Sequence, residues 1–374
     1  MNCKNALSIL LTLCLLVSVC GGCVGASPTV SDLAVLHEPE FGGIYLDITI
    51  DDFNAHGFAY GDSVSVTFSN GYTLTDLPYY NGYYTKTGEP LVVAYPGYPH
   101  VKVCINNGDD LWEIADIEET ATATVSLHAR STYRAIQDAR DIHYTDERSD
   151  YDSDEIFANF RTVSAGAMKE NVVFRAASPC DNQHNRATYV DALIKKARVR
   201  CIINLADNEE KINGYLAQET FACAYFRSLY AQGQVLPLAM NMNFTSAEFR
   251  RKAAKGLTAM AENDGPFLIH CTEGKDRTGF MCMLVEALCG ASYQEIVNDY
   301  MVTYDNYYGI TAVSEKEKYD VIVENVLDPM IQSLTGDDGA DIKTADLSAY
   351  AAQYLLSGGM REAQIAALKA KLTK

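Results

Sequence analysis

The sequence predicts two domains, a small all-β domain followed by an α/β domain whose central, mostly parallel sheet is flanked by helices. Three observations predict this. Between residues 27 and 132, runs that alternate with period two are separated by turn signals. Near residues 200 and 268, short unbroken apolar runs read as strands buried on both faces. The second of these runs leads through a tight loop into an apolar stretch long enough for a buried helix.

The elements follow in chain order. After Lys4 an apolar run extends from Ala6 to Val19, too short for a membrane span and suited to a secretory signal over residues 1–26. Val24-Gly25-Ala26 fits a cleavage site, while Cys20-Gly21-Gly22-Cys23 offers Cys23 as a lipid anchor. The chain is therefore expected to be exported, either secreted or held at the cell surface as a lipoprotein, with no transmembrane span. In the β-rich domain, residues 27–132, Ser63–Phe68 alternates and Ser69-Asn70-Gly71 turns it back. Further strands are expected at residues 91–95, 101–105 and 121–127, divided by Asn81-Gly82, Pro96-Gly97 and Asn107-Gly108; together they make a sandwich or barrel. Tyr79, Tyr80, Tyr83, Tyr84, Tyr95 and Tyr98 form either a ligand-binding face or rings packed on the sheet. Residues 133–156, polar and acidic around 144–152, read as a solvated connection.

The α/β domain is expected over residues 157–374. Residues 186–196 have helical apolar spacing and 199–205 form a buried strand. Asp207 and Glu209 follow that strand at the carboxyl end of the sheet, where α/β enzymes place their sites, although Glu209 and Glu210 also suit the first turn of a helix. Thr245-Ser246-Ala247-Glu248 and Ser292-Tyr293-Gln294-Glu295 are capping boxes, and Gly358-Gly359 splits the last segment into two short helices.

Composition bounds the function. With 374 residues, 48% of them hydrophobic, the chain has ample material for two cores. A formal charge of -19 argues against nucleic acid as a partner. Beyond Ala26 the cysteines are Cys104, Cys180, Cys201, Cys223, Cys271, Cys282 and Cys289, irregularly spaced and without a zinc pattern, so no metal or other cofactor is expected.

The chemistry concentrates in ten residues, His270-Cys271-Thr272-Glu273-Gly274-Lys275-Asp276-Arg277-Thr278-Gly279, set between the apolar strand and the apolar helix. A tight loop at a helix N-terminus turns backbone N–H groups inward and binds anions. Such a place favours the Cys271 thiolate and should lower its pKa. Arg277 can hold two phosphate oxygens through its planar fork and stabilise charge on a transferring phosphoryl group. Thr278 can offer its hydroxyl to the sulfur, and His270 is expected to orient the loop. Lys275 adds a cation at the rim, available to a second phosphate or to Glu273 and Asp276. Gly274-Lys275 is followed by Asp276, so the loop is not a nucleotide-binding Walker sequence.

The pattern HCxxGxxRTG resembles the signature of the protein tyrosine phosphatase superfamily, and its form HCTEGKDRTG is similar to bacterial tyrosine and lipid phosphatases with GKDR in the loop. Asn159-Phe160-Arg161 and residues 173–178 resemble two further motifs of those phosphatases, which extends the resemblance from about residue 157 to the C-terminus. Thr162 stands where they carry Asp, and Arg175, read by itself, is an ion-pair residue. The resemblance implies a cysteine-phosphatase fold and a cysteinyl-phosphate mechanism without metal. It makes Cys271 the nucleophile and Arg277 the phosphate ligand, with Thr272, Glu273, Gly274, Lys275, Asp276 and Thr278 around the phosphate. Many relatives draw the leaving-group proton from an Asp on an upstream loop, but the corresponding residues 236–245 contain no carboxylate. The GKDR and WDR relatives then imply Asp276 as general acid, with Asp207 the second choice. The expected substrate is protein phosphotyrosine, with phosphoserine, phosphothreonine or phosphoinositides in addition. Alternatives are an inositol polyphosphate, as in phytase-like members, and a surface binding module on a silent phosphatase fold; intact Cys271 and Arg277 argue against silence.

Overall fold

The structure is a computed structural model that describes residues 27–337 and 339–374. The expected export signal and Cys23 lie outside the described residues.

The first domain is a closed barrel of β1 (Thr29–His37), β2 (Ile44–Leu46), β3 (Ser63–Phe68), β4 (Thr73–Tyr80), β5 (Pro90–Val93), β6 (Val101–Ile105) and β7 (Thr122–Ala129). The strands run around it in the order β1-β2-β6-β5-β4-β3-β7, and β7 pairs back onto β1. Closure leaves no open edge for another chain to extend. The inward residues of the alternating strands, among them Val64, Val66, Leu77, Val103 and Val125, are fully buried and form the barrel core. Tyr79 and Tyr80 are 0% and 1% exposed, Tyr79 in the barrel core and Tyr80 on the outer face beneath Tyr83, Tyr84 and Tyr133, so neither belongs to an exposed tyrosine face. Tyr95, at 46%, remains outside.

The second domain contains β8 (Arg161–Thr162), β9 (Val173–Ala176), β10 (Cys201–Asn204), β11 (Val235–Pro237) and β12 (Phe267–His270), in the order β11-β10-β12-β9-β8. Only β8 is antiparallel. The register sets Ala176, Asn204 and His270 side by side, so the loops after β9, β10 and β12 leave from one edge. Helices cover both faces. The helix Asp276–Leu288 is buried on every side after its first two residues, which explains its lack of a polar face. Helix Ala247–Glu262 starts on Ser246, whose side chain accepts the Phe249 N–H. Helix Tyr293–Tyr308 starts on Ser292 with a complete capping box to Glu295.

The segment between the domains is folded rather than merely solvated. It carries the helix Arg134–Arg140, which packs on the helix Lys316–Ile322. Further along, Arg186 holds it down, donating to the Asp146 carboxylate at 2.5 Å and the Thr145 carbonyl at 3.0 Å. The acidic composition that suggested solvent exposure instead supplies the partner of this cation. Among the described residues no helix is long and apolar enough to cross a membrane.

Candidate active site

β12 ends at His270, the chain turns through residues 271–275, and the helix Asp276–Leu288 begins. Cys271, Thr272, Glu273, Gly274 and Lys275 make the turn; Asp276, Arg277 and Thr278 form the first helical turn. No side chain caps this helix at Lys275, leaving its N-terminal N–H groups and dipole to the loop interior. Cys271 is 3% exposed. The Arg277 guanidinium donates to the Met240 carbonyl at 3.2 Å and to the Thr272 hydroxyl at 3.4 Å, and so lies across the turn. The Thr278 hydroxyl is buried without a partner among the described residues.

Gly274 is required by geometry. Its φ is +70°, and a Cβ there would lie 2.4 Å from the Ala176 carbonyl carbon, on the neighbouring strand. Gly279 packs likewise against the Tyr300 ring, 2.6 Å from where a Cβ would stand.

The loop is held from behind by a buried polar network. Asn159 and Arg175 both donate to the Gly274 carbonyl, at 3.2 and 3.0 Å. Arg175 is fully buried and bonds the Asp299 carboxylate at 2.5 Å; Arg161 reaches the same carboxylate at 3.0 Å. Burial alone would raise the Asp299 carboxyl, but the two guanidinium charges outweigh it and hold it below the usual carboxylate range. Glu286, next in this interior, is pushed well above that range by burial and then by the negative charge of Asp299.

His270 is fully buried, with Nδ1 against the Cys271 carbonyl at 3.1 Å and Nε2 unpartnered among the described residues. Burial lowers its pKa to about 4. Asp207 is also at this edge of the sheet, but its carboxylate is occupied by Asn204 at 3.0 Å, the Cys180 thiol at 3.8 Å and the Tyr215 hydroxyl at 3.4 Å. Asp276 is more open: the Tyr300 hydroxyl donates to it at 3.5 Å, and about a third of its side chain, 34%, faces solvent. Lys275 stands 3.5 Å from Glu273 and 3.9 Å from Asp276 and donates to the Tyr308 hydroxyl at 3.4 Å. Burial would lower its pKa, but Asp276 and the surrounding tyrosines and Glu273 hold it above its ordinary value.

Sequence reading missed several residues around this site. The Tyr307 hydroxyl donates to the Glu273 carbonyl at 2.7 Å, and Tyr144, from the connecting segment, stacks on Tyr307 with centroids 4.9 Å apart. A signal for the first existed in the helix after Ser292, where Tyr300, Tyr304 and Tyr307 recur on one face. Tyr144 and Asp299 carried none, because each meets its partner only through the fold. The seven described cysteines are all buried with free thiols. Among the described residues no group of three or more His, Cys, Asp or Glu is placed to hold a metal ion.

The geometry can be set beside known proteins. Among curated protein sequences there is no significant match. A solved structure, the core catalytic domain of the PP-IP phosphatase SIW14 from S. cerevisiae in complex with citrate, is similar at 16% identity, covering 46% of this chain and 90% of that one with a TM-score of 0.26. The profile of the tyrosine phosphatase family matches residues 156–374, more than half of the chain and the whole of the cysteine loop with its supporting network. The chain belongs to the tyrosine phosphatase family, and is a cysteine-based phosphatase.

Proposed function

We propose that this phosphatase acts on phosphotyrosine in proteins, and more slowly on phosphoserine, phosphothreonine and phosphoinositides. The observation that carries the preference is the aromatic wall beside the loop: Tyr144 stacked on Tyr307, with Tyr308 edge-on to Tyr144 at 5.7 Å. Such a wall suits a planar ring held above the phosphate site. Lys275 favours a second reading, an inositol polyphosphate, since it adds a cation at the rim. Glu273 and Asp276 already balance that charge at 3.5 and 3.9 Å, which supports the first reading over the second. The apolar run after Lys4 supports export, as a secreted protein or one lipidated at Cys23.

In the proposed reaction the Cys271 thiolate attacks phosphorus, an S–P bond forms and the P–O bond to the tyrosine oxygen breaks. Arg277 and the N-terminal amides of the helix stabilise the equatorial oxygens. Asp276 gives its proton to the leaving oxygen, then takes one from the water that cleaves the S–P bond and releases phosphate. The Thr278 hydroxyl, buried without a partner among the described residues, supports a role as donor to the departing sulfur.

The test is phosphate release from phosphotyrosine and phosphoserine peptides, phosphoinositides and phytate, with chelator present. Cys271→Ser is expected to lower turnover by roughly three orders of magnitude or more. Asp276→Asn is expected to slow substrates with poor leaving groups more than those with good ones. A preference for phytate would replace the first reading with the second, and equal slowing of all substrates by Asp276→Asn would remove it as the acid.

A further inference from the structure

The first turn of the helix Asp276–Leu288 admits one close neighbour. Asp276 and Gly279 are three residues apart and share a face of the helix. A Cβ on Gly279 would stand 2.6 and 2.9 Å from two carbons of the Tyr300 ring, so the ring takes the space that any other residue would fill. Tyr300 is buried there, 2% exposed. From this seat its hydroxyl reaches along the shared face and donates to Oδ1 of Asp276 at 3.5 Å. Bonds of this kind tighten in the substrate complex. Burial, then Tyr304 and Asp276, hold the Tyr300 phenol well above its ordinary pKa, which keeps it a neutral donor.

Tyr300 begins a row. Tyr304 and Tyr308 follow at intervals of four on the same face of the helix Tyr293–Tyr308, with ring centroids 5.8 and 5.6 Å apart along it. At the far end the Tyr308 hydroxyl accepts from Lys275 at 3.4 Å. The row therefore holds two adjacent loop side chains at its opposite ends, Asp276 on Tyr300 and Lys275 on Tyr308. Lys275 Nζ stays 3.9 Å from Oδ2 of Asp276, beyond hydrogen-bond distance. Oδ1 of Asp276 thus has a phenol donor, whereas Oδ2 has no hydrogen-bond donor among the described residues. With 34% of this side chain exposed, Oδ2 can meet a leaving group.

We propose that Tyr300 is a positioning residue for proton transfer: its hydroxyl fixes Oδ1 of Asp276, so that Oδ2 carries the proton to the leaving oxygen. As the P–O bond breaks, the O–H bond at Oδ2 breaks with it. The proton goes to the leaving oxygen, and the electron pair stays on the carboxylate, where the Tyr300 O–H stabilises it. The attacking water returns a proton to Asp276 in the second step, and Tyr300 transfers none. The proposal rests on the reading of Asp276 as general acid. It is tested with the full chain on aryl phosphates of graded leaving-group pKa, from para-nitrophenyl to phenyl phosphate, in wild type, Tyr300→Phe, Asp276→Asn and the double variant. Tyr300→Phe keeps the ring against Gly279, so the fold survives. It is expected to slow phenyl phosphate about tenfold in kcat and para-nitrophenyl phosphate by less than about twofold. Vanadate affinity is expected to stay within about twofold of wild type, and Tyr300→Phe should slow Asp276→Asn no further. Equal slowing across the series, a fall in vanadate affinity, or additive losses in the double variant would make Tyr300 a support of the loop alone and overturn the proposal, as would no slowing at all. If Asp276→Asn itself shows no leaving-group dependence, the general-acid reading fails and takes the proposal with it. A steep dependence in Asp276→Asn beside a wild-type one in Tyr300→Phe overturns only the role of Tyr300.

Discussion

His270 shows how a single residue couples the cysteine loop to pH. It is the last residue of β12, fully buried, and its pKa falls from 6.5 to about 4 because burial penalises the imidazolium. The unfolded chain therefore binds a proton that the folded chain refuses between these values. Stability from this group is present above about pH 6.5 and is lost as pH falls toward 4. At about pH 5 the loss is on the order of 2 kcal/mol relative to neutral pH. Urea unfolding at the two pH values checks this: His270→Asn is expected to remove most of that difference, and an unchanged difference would assign the acid sensitivity to other groups. Gly274 gives a second expectation at this scale. With φ at +70° and the Ala176 carbonyl 2.4 Å from any Cβ, Gly274→Ala must displace either the loop or β9. Vanadate or phosphate affinity is expected to fall by at least about tenfold, while circular dichroism stays close to wild type. Retained affinity would mean that the loop closes without this backbone geometry.

At the scale of elements, the strand, loop and helix from Phe267 to Leu288 work because a second set of elements grips the loop from behind. Asp299 is the joint: on the helix Tyr293–Tyr308, it binds Arg175 of β9 and Arg161 of β8, and Arg175 in turn holds the Gly274 carbonyl. Asp299→Ala would leave two buried guanidinium groups unpaired, at a cost of about 3–5 kcal/mol. A large fall in unfolding free energy is expected, with a loss of kcat in whatever fraction still folds; a near-wild-type melting temperature would show that solvent or another carboxylate replaces Asp299. The arrangement also explains what sequence could reveal. The loop was legible because its strand, turn glycines, Cys271, Arg277 and buried helix are contiguous, so local pattern and chemistry coincide. Arg161 and Arg175 stood out only through motif resemblance. Asp299 did not, since its partners lie far away in the chain and nothing around it distinguishes it from a helix-surface carboxylate. In the barrel, β3 and β6 were visible by alternation, whereas the parallel pairing of β4 with β5 and the closure of β7 on β1 depend on long-range register.

At the scale of the molecule, one buried cation joins the segment between the domains to the cysteine loop. Arg186 donates to the Phe157 and His184 carbonyls at 2.9 Å as well as to Asp146, and its guanidinium lies 4.6, 4.8 and 5.0 Å from the ring centres of Phe157, Tyr144 and Tyr307. These contacts make an acidic stretch, which by composition alone would stay in solvent, part of the folded body. They also place Tyr144 on Tyr307, whose hydroxyl holds the Glu273 carbonyl. Arg186→Met keeps most of the apolar volume but removes the donors and the charge. Local opening of residues 141–152 then becomes easier, and limited proteolysis should cut there at least about tenfold faster, corresponding to ~1.4 kcal/mol of lost local stability. Because Tyr144 moves with that segment, the same variant should raise KM for phosphotyrosine peptides while leaving the barrel's own resistance to protease intact. Faster cleavage without a change in KM would separate the clamp from the substrate wall; an unchanged cleavage rate would mean that the helix Arg134–Arg140, packed on Lys316–Ile322, is enough to hold the two domains in register.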